Sequence, residues 1–197
     1  MKILPKNKDK KPHPSKIKAH GAEGERLVRS RLHRLNLEAK YAEEIHNLII
    51  VDEKGNSHQI DHILIRPNGV FVIETKNWVG LICGKEDDEY WKVHLNRITY
   101  QQYNPVLQNK THCRLVELII GGVCRVNSVI AMMQNNGKKL GIPGVINGCS
   151  LRRYIREFND GTLLSKDDVD IIYNELIEAS SDISIEEHIK NLEHRKC

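Results

Sequence analysis

The chain has 197 residues, of which 40% are hydrophobic and 28% charged, a composition that fits a single α/β domain. No apolar run approaches the roughly 20 residues that a membrane span needs, and the first residues lack the apolar segment of a secretory signal. We therefore expect a cytoplasmic protein without membrane association. The formal net charge of +4 permits a polyanionic partner without requiring one. The five cysteines show no Cys-x-x-Cys spacing, which argues against a disulfide framework and a zinc site.

Residues 1–20 are predicted to form a flexible basic tail. Seven lysines accompany a single acid, Asp9, and prolines interrupt any helix. Two interpretations stay open, namely a segment that adds non-specific phosphate contacts and a terminus that only increases solubility.

A first helix is predicted from Gly21 to about Asn36, because apolar residues recur there with helical spacing. Glu25 lies three residues before Val28 on the apolar stripe, so its carboxylate is expected to point at the sheet. The alternative is that Glu25 only favours the positive first turn of the helix. Gly24, which has no Cβ, would let this helix approach its neighbours closely.

A strand from Tyr41 to Val51 is predicted next, followed by a hairpin over Gln59–Lys76. Two runs rich in Ile and Val flank Asn68-Gly69, and Asn-Gly between such runs is the strongest short-range signal for a two-residue hairpin turn. With Asn68 and Gly69 as the turn residues, Ile63 would pair with Glu74 and Asp61 with Lys76.

This hairpin carries the chemistry that the sequence predicts. Alternation along the strands places Asp61, Glu74 and Lys76 on one face at the end far from the turn. Two carboxylates beside an ammonium suit hydrolysis of a phosphodiester, because carboxylates hold hard cations such as Mg²⁺ and the ammonium orients water or offsets developing charge. The alternative is a set of solvated charges at an exposed strand end.

Short strands are predicted at Leu81–Cys83 and Tyr90–Val93. Trp78 and Trp91 would either stack on bases or pack at a core edge, and packing is the favoured interpretation.

A second helix is predicted to begin at Asn104-Pro105 and to end at Gly121-Gly122. Gln108 and His112 share a face with apolar residues one and two turns further on, which places both near the buried side. Alternatively, they cap carbonyl groups or lie at a wet rim.

The C-terminal part is predicted to add one buried strand, an edge strand and three helices. In order, these are Ser128–Met133, Val145–Ile146, Leu151–Phe158 with Ser150 as its cap, a helix to about Ala179 that begins with a capping box of Ser165 and Asp168, and a last helix that begins with a capping box of Ser184 and Glu187.

The pattern Asp61, then Glu74-Thr75-Lys76 after a hairpin, resembles the signature of the PD-(D/E)XK nuclease superfamily. The surrounding residues look more specifically like the NERD (nuclease-related) domain. Four ordered blocks carry this resemblance over about Gly21 to Ile120: Gly21–Glu25, Gln59–Ile63, Gly69–Gly80 and Asn104–Gln108.

The resemblance implies a restriction-endonuclease-like α/β core, with a mixed central sheet that contains an antiparallel hairpin and is flanked by helices. The domain would span residues 21–148, with a helical extension over 149–197 packed on it. The resemblance further implies that Asp61, Glu74 and the Thr75 carbonyl hold Mg²⁺ or Mn²⁺. Lys76 would position the attacking water, and Glu25 and Gln108 would complete the site. His112 is a further candidate.

The leading hypothesis is therefore a metal-dependent nuclease that acts on nucleic acid, with DNA as the first expectation. One rival is a catalytically silent module that binds nucleic acid or serves as a scaffold with a nuclease-like fold. Another is an interaction domain with no role in nucleic-acid chemistry.

Overall fold

The structure is a computed structural model that describes residues 14–180, with side chains from residue 21 onward. The helices of this part are Pro14–Glu38 (α1), Pro105–Ile119 (α2), Leu151–Glu157 (α3) and Lys166–Glu178 (α4). The strands are Glu43–Val51 (β1), Ser57–Arg66 (β2), Gly69–Lys76 (β3), Leu81–Cys83 (β4), Tyr90–Leu95 (β5), Ile98–Tyr103 (β6), Val126–Met132 (β7) and Val145–Asn147 (β8). Within these residues, no helix is both long enough and apolar enough to cross a membrane.

The strands form two sheets. The larger has the order β1-β2-β3-β7-β8, in which β1, β2 and β3 pair antiparallel while β7 and β8 are parallel to their neighbours. The smaller is an antiparallel sheet of β4, β5 and β6. This architecture confirms the predicted mixed α/β fold with its antiparallel hairpin. The sequence did not predict β6, whose residues Ile98–Tyr103 are mostly polar and only partly buried.

Helices cover both faces of the larger sheet. On one face, Leu64, Phe71 and Ile73 pack with apolar residues of α1 and α3. On the other face, Ile63 and Val72 pack with apolar residues of α2 and α4. Each fully buried side chain of this kind contributes about 1.5–3 kcal/mol relative to exposure, so the two layers hold β3 in the middle of the core.

The predicted register of the hairpin is wrong by two residues. Arg66 pairs with Gly69 and Ile63 with Val72, so Pro67 and Asn68 form the loop. The physical reason is that proline favours the second position of a type I turn and glycine the fourth. The positive φ, 135°, accordingly falls at Gly69.

An irregularity in β1 and β2 lies beside the end of the hairpin. Asn47 has a positive φ of 56°. Asn47 and Asp61 do not pair with each other, although the residues on either side of them pair between β1 and β2. Ile60 and Ile63 consequently pack in the same cluster, although strict alternation would place residues three apart on opposite faces. The last pair between β2 and β3 is His62 with Ile73, and beyond it the pairing of these two strands ends.

The chain becomes helical earlier than the sequence suggested. Because α1 begins at Pro14, residues 14–20 are helical, and the predicted flexible tail is wrong over these seven positions. Proline is compatible with the first turn of a helix because its missing N–H is unpaired there in any case. Residues 1–13, and the helix predicted from Ser184, lie outside the described residues.

Two of the predicted helix caps are confirmed. The Asn104 side chain accepts a hydrogen bond from Val106 N–H (2.9 Å), with proline at the first helical position of α2. Ser165 and Asp168 form a capping box at the start of α4. Ser150, in contrast, makes no capping hydrogen bond, because a short 3-10 turn over Gly148–Ser150 leads directly into α3.

Candidate active site

The candidate site lies where β2 and β3 stop pairing. The carboxylate of Asp61 there accepts a hydrogen bond from Thr75 N–H at 2.8 Å. The other edge of β3 stays paired with β7, because Glu74 lies opposite Ile130 and Lys76 opposite Met132. Asp61 is therefore anchored to the strand that carries Glu74 and Lys76.

Lys76 connects β3 with α2. Its ammonium donates hydrogen bonds to Glu74 Oε1 (2.5 Å) and to Gln108 Oε1 (3.1 Å), and the ring centroid of Trp78 lies 5.7 Å away. Burial alone would lower the pKa of Lys76. The pKa is nevertheless raised, because the carboxylates of Glu74 and Asp61 favour the charged form.

Asn104 fixes the part of α2 that carries Gln108. Besides capping the helix, its amide nitrogen donates to carbonyl oxygens of the loop before β5, at 3.3, 2.9 and 2.6 Å to Lys85, Glu86 and Asp88. This buried side chain ties the start of α2 to the smaller sheet, so that the first turn presents Gln108 to Lys76.

The second carboxylate oxygen of Glu74 has no matching donor. Glu74 Oε2 is buried and accepts no hydrogen bond from residues 21–180, the part whose side chains are described. His112 Nδ1 lies 3.6 Å from it, beyond the usual hydrogen-bonding distance. A buried carboxylate oxygen left in this state is costly unless a cation or donor satisfies it.

Negative charge exceeds positive charge at the site. The pKa of Asp61 is raised well above its ordinary value, chiefly by burial and then by the charge of Glu74. Burial and Glu74 also raise the pKa of Glu25, while Lys76 and Arg29 oppose this shift. Three carboxylates around one ammonium favour the uptake of a proton or a metal cation.

Gly24 allows α1 to lie close to the end of β3. A Cβ at this position would be 3.0 Å from Asn77 Cβ and 3.2 Å from Thr75 Cγ2, tighter than ordinary contacts. The close approach expected from the sequence is therefore present, and it places Glu25 beside the site.

The donor set fits a hard divalent cation. Asp61, Glu74 and the Thr75 carbonyl offer only oxygen atoms, which Mg²⁺ prefers, and Glu74 Oε2 is available as a ligand. No group of three or more His, Cys, Asp or Glu side chains in the described part of the chain is arranged to hold a metal ion. Water and a phosphate oxygen would therefore have to supply further ligands, as is usual for Mg²⁺.

The site residues predicted from the sequence interact with one another in different ways. Glu74, Lys76 and Gln108 are in direct contact, and Asp61 reaches them through Thr75 N–H. Glu25 interacts through its charge. His112 is buried beside Glu74, as its helical spacing indicated.

The structure also shows the surroundings of the two tryptophans and of the described cysteines. Trp91 is fully buried and donates to the Lys85 carbonyl oxygen at 2.8 Å, so the packing interpretation is confirmed for it. Trp78 is half-buried beside Lys76. The four described cysteines are free thiols.

Arg29 is the neighbour of the site that the sequence prediction missed. Its charge acts on Glu25, four residues earlier on α1. An acidic residue four positions before an arginine on one helix is a recognisable pattern, and this spacing could have identified Arg29.

Comparisons with known proteins identify the family of this chain. The Nuclease-related domain (NERD) matches residues 20–133, a range that contains all five predicted catalytic residues. The chain is also 31% identical over 204 residues to an uncharacterized protein of Bacillus anthracis, with 98% of this chain and 92% of the relative covered. The chain belongs to the nuclease-related domain (NERD) family.

Proposed function

We propose that this protein is a metal-dependent nuclease that hydrolyses phosphodiester bonds in nucleic acid, with DNA as its expected substrate. The observation that carries the proposal is the buried contact of Lys76 with Glu74, beside a Glu74 oxygen that lacks a donor. Burying these charges costs folding free energy, and a strand end that served only solubility would leave them in water.

Asp61, Glu74 and the carbonyl oxygen of Thr75 would hold the cation. A bound Mg²⁺ or Mn²⁺ polarises the phosphate and lowers the pKa of a bound water. Asp61 is kept in place by Thr75 N–H, so its carboxylate is oriented before any ligand arrives.

Lys76 is the proposed catalytic cation. Its raised pKa keeps the ammonium charged at neutral pH, which suits it to orient the attacking water and to offset charge that develops on the phosphate. Gln108 Oε1 accepts a hydrogen bond from the same ammonium and thereby fixes its direction. Glu25 adds a further carboxylate at the edge of the site.

The test is a cleavage assay on linear, circular and single-stranded DNA and on RNA, with Mg²⁺, Mn²⁺, Ca²⁺ or EDTA. We expect slow cleavage with Mg²⁺ or Mn²⁺ and none with EDTA. Ca²⁺ should bind without turnover, because it is larger and its coordination is looser. The variants Asp61→Asn and Glu74→Gln, purified in the same way, control for contaminating nucleases. Absence of metal-dependent cleavage on every substrate, or equal cleavage by both variants, would refute the proposal.

A catalytically silent module that binds nucleic acid is the second candidate. It is favoured by the metal-free contact between Lys76 and Glu74 Oε1, because the ammonium already satisfies one oxygen of a proposed ligand. In this case the protein would bind DNA in the presence of Ca²⁺, and no metal ion would produce cleavage.

A further inference from the structure

Two adjoining cavities lie along α1 beside the candidate site. The smaller, of about 180 Å³, is lined by Ala22, Glu25, Arg26 and Arg29. The larger, of about 400 Å³, is lined by Arg26, Arg29, Ser30, His33, Glu44 and His46. Because they share two arginines, they form one groove from Glu25 to the first half of β1, which we name the α1–β1 groove.

Most charges of the α1–β1 groove are already engaged by other groups. Arg26 donates two hydrogen bonds of 2.8 Å to the carboxylate of Glu23. On the opposite wall, Glu44 lies 3.1 Å from His33 Nδ1 and 3.6 Å from His46 Nε2. The Arg26 guanidinium is therefore already paired with a carboxylate, whereas Glu44 lies beside two imidazoles and keeps its negative charge.

Arg29 differs from these residues. It is exposed and has no hydrogen bond or ion pair to another side chain within residues 21–180. It borders both cavities, and its charge acts on Glu25 at one end of the groove and on His46 at the other. Arg29 therefore offers a guanidinium between the candidate site and the larger cavity.

We propose that the α1–β1 groove binds the strand of nucleic acid that adjoins the scissile bond. Arg29 holds the neighbouring phosphate, and the larger cavity takes the nucleotide beyond it. This inference rests on the proposed function, because it takes the scissile phosphate to lie at Asp61 and Glu74.

The chemistry of the groove suits this ligand. A guanidinium presents two parallel N–H donors that match phosphate oxygens. A volume of about 400 Å³ lies within the range of pockets that bind small molecules, and a single nucleotide is a ligand of that size class. The carboxylates of Glu25 and Glu44 at the two ends disfavour a phosphate there, so the phosphate position is limited to the vicinity of Arg29.

The test compares Arg29→Gln with Arg34→Gln. Arg34 is the matched control, because it is also an exposed arginine of α1 but borders neither cavity. Affinity for a fluorescent single-stranded DNA oligonucleotide is measured by anisotropy over a series of NaCl concentrations, with Ca²⁺ present to prevent turnover.

We expect Arg29→Gln to weaken binding about tenfold at low salt and to reduce the slope of log affinity against log salt by about 0.7, the value for one phosphate contact on a single strand. Arg34→Gln should leave both quantities close to those of the wild type. Arg29→Lys should restore the slope, because a lysine also releases one counterion.

Four results separate the possibilities. Equal slopes for Arg29→Gln and wild type would overturn the groove proposal, as would a wild type that binds no DNA. In the cleavage assay with Mg²⁺, a lower kcat for Arg29→Gln, with KM and the salt slope unchanged, would also overturn the groove proposal, because Arg29 would then act only through Glu25. A reduced slope in a protein that cleaves nothing would support the groove while refuting the nuclease.

Discussion

Replacing Lys76 with methionine should strongly destabilise the metal-free protein. The substitution removes the ammonium beside Glu74 and keeps an unbranched side chain of similar length. The side chain of Glu74 is 3% exposed and that of Lys76 is 16% exposed, so water cannot replace the lost partner. Removing one member of a buried ion pair of this kind costs about 3–5 kcal/mol.

Urea unfolding in EDTA at pH 7 measures this loss of unfolding free energy. Lys166→Met is the matched control, because it breaks an exposed ion pair: the side chain of Lys166 is 65% exposed and that of its partner Asp170 is 44% exposed. That pair should contribute no more than about 0.5 kcal/mol. The double variant Lys76→Met/Glu74→Gln should recover most of the loss, since the carboxylate in direct contact with the ammonium is then removed as well.

Two results would contradict this reasoning. A loss in Lys76→Met no larger than that in Lys166→Met would show that Glu74 is not held as a buried charge. A loss that persists in the double variant Lys76→Met/Glu74→Gln would show that the cost is one of packing. Mg²⁺ should recover part of the stability of Lys76→Met, because a ligand that binds only the folded state stabilises it.

Two further substitutions test the surroundings of the site. Asp61→Asn should abolish cleavage and weaken Mg²⁺ binding. The stability of the metal-free protein should stay equal or rise, because the amide oxygen can still accept a hydrogen bond from Thr75 N–H while a buried charge is removed. Equal Mg²⁺ affinity of the variant and the wild type, measured by calorimetry, would contradict the assignment of Asp61 as a metal ligand. Gly24→Ala should cost about 1–3 kcal/mol in urea unfolding, because its Cβ would lie 3.0 Å from Asn77 Cβ. Gly21→Ala, whose Cβ meets nothing within 4 Å, should be neutral or stabilising, and equal losses in both variants would refute the close-contact argument.

The sequence by itself determined those features that depend on local periodicity and capping. Asn104 and Ser165 cap helices where their sequence patterns indicated. The hairpin prediction erred by two residues, yet the two faces of β3 were assigned correctly, since alternation has a period of two and an even shift keeps each side chain on its face. For this reason Glu74 and Lys76 could be placed together before their contact was known.

Tertiary structure alone decided which contacts form among Asp61, Glu74 and Lys76. The predicted register set Asp61 opposite Lys76, whereas Asp61 accepts from Thr75 N–H and Lys76 donates to Glu74. These contacts depend on where β2 and β3 stop pairing, which follows from the proline-containing turn and from the irregularity at Asn47. The lack of an ion-pair partner for Arg29 among residues 21–180 is likewise a property of the packed surface. Charges distant in sequence interact only after folding has set their separation and removed the water between them, so no local pattern encodes the result.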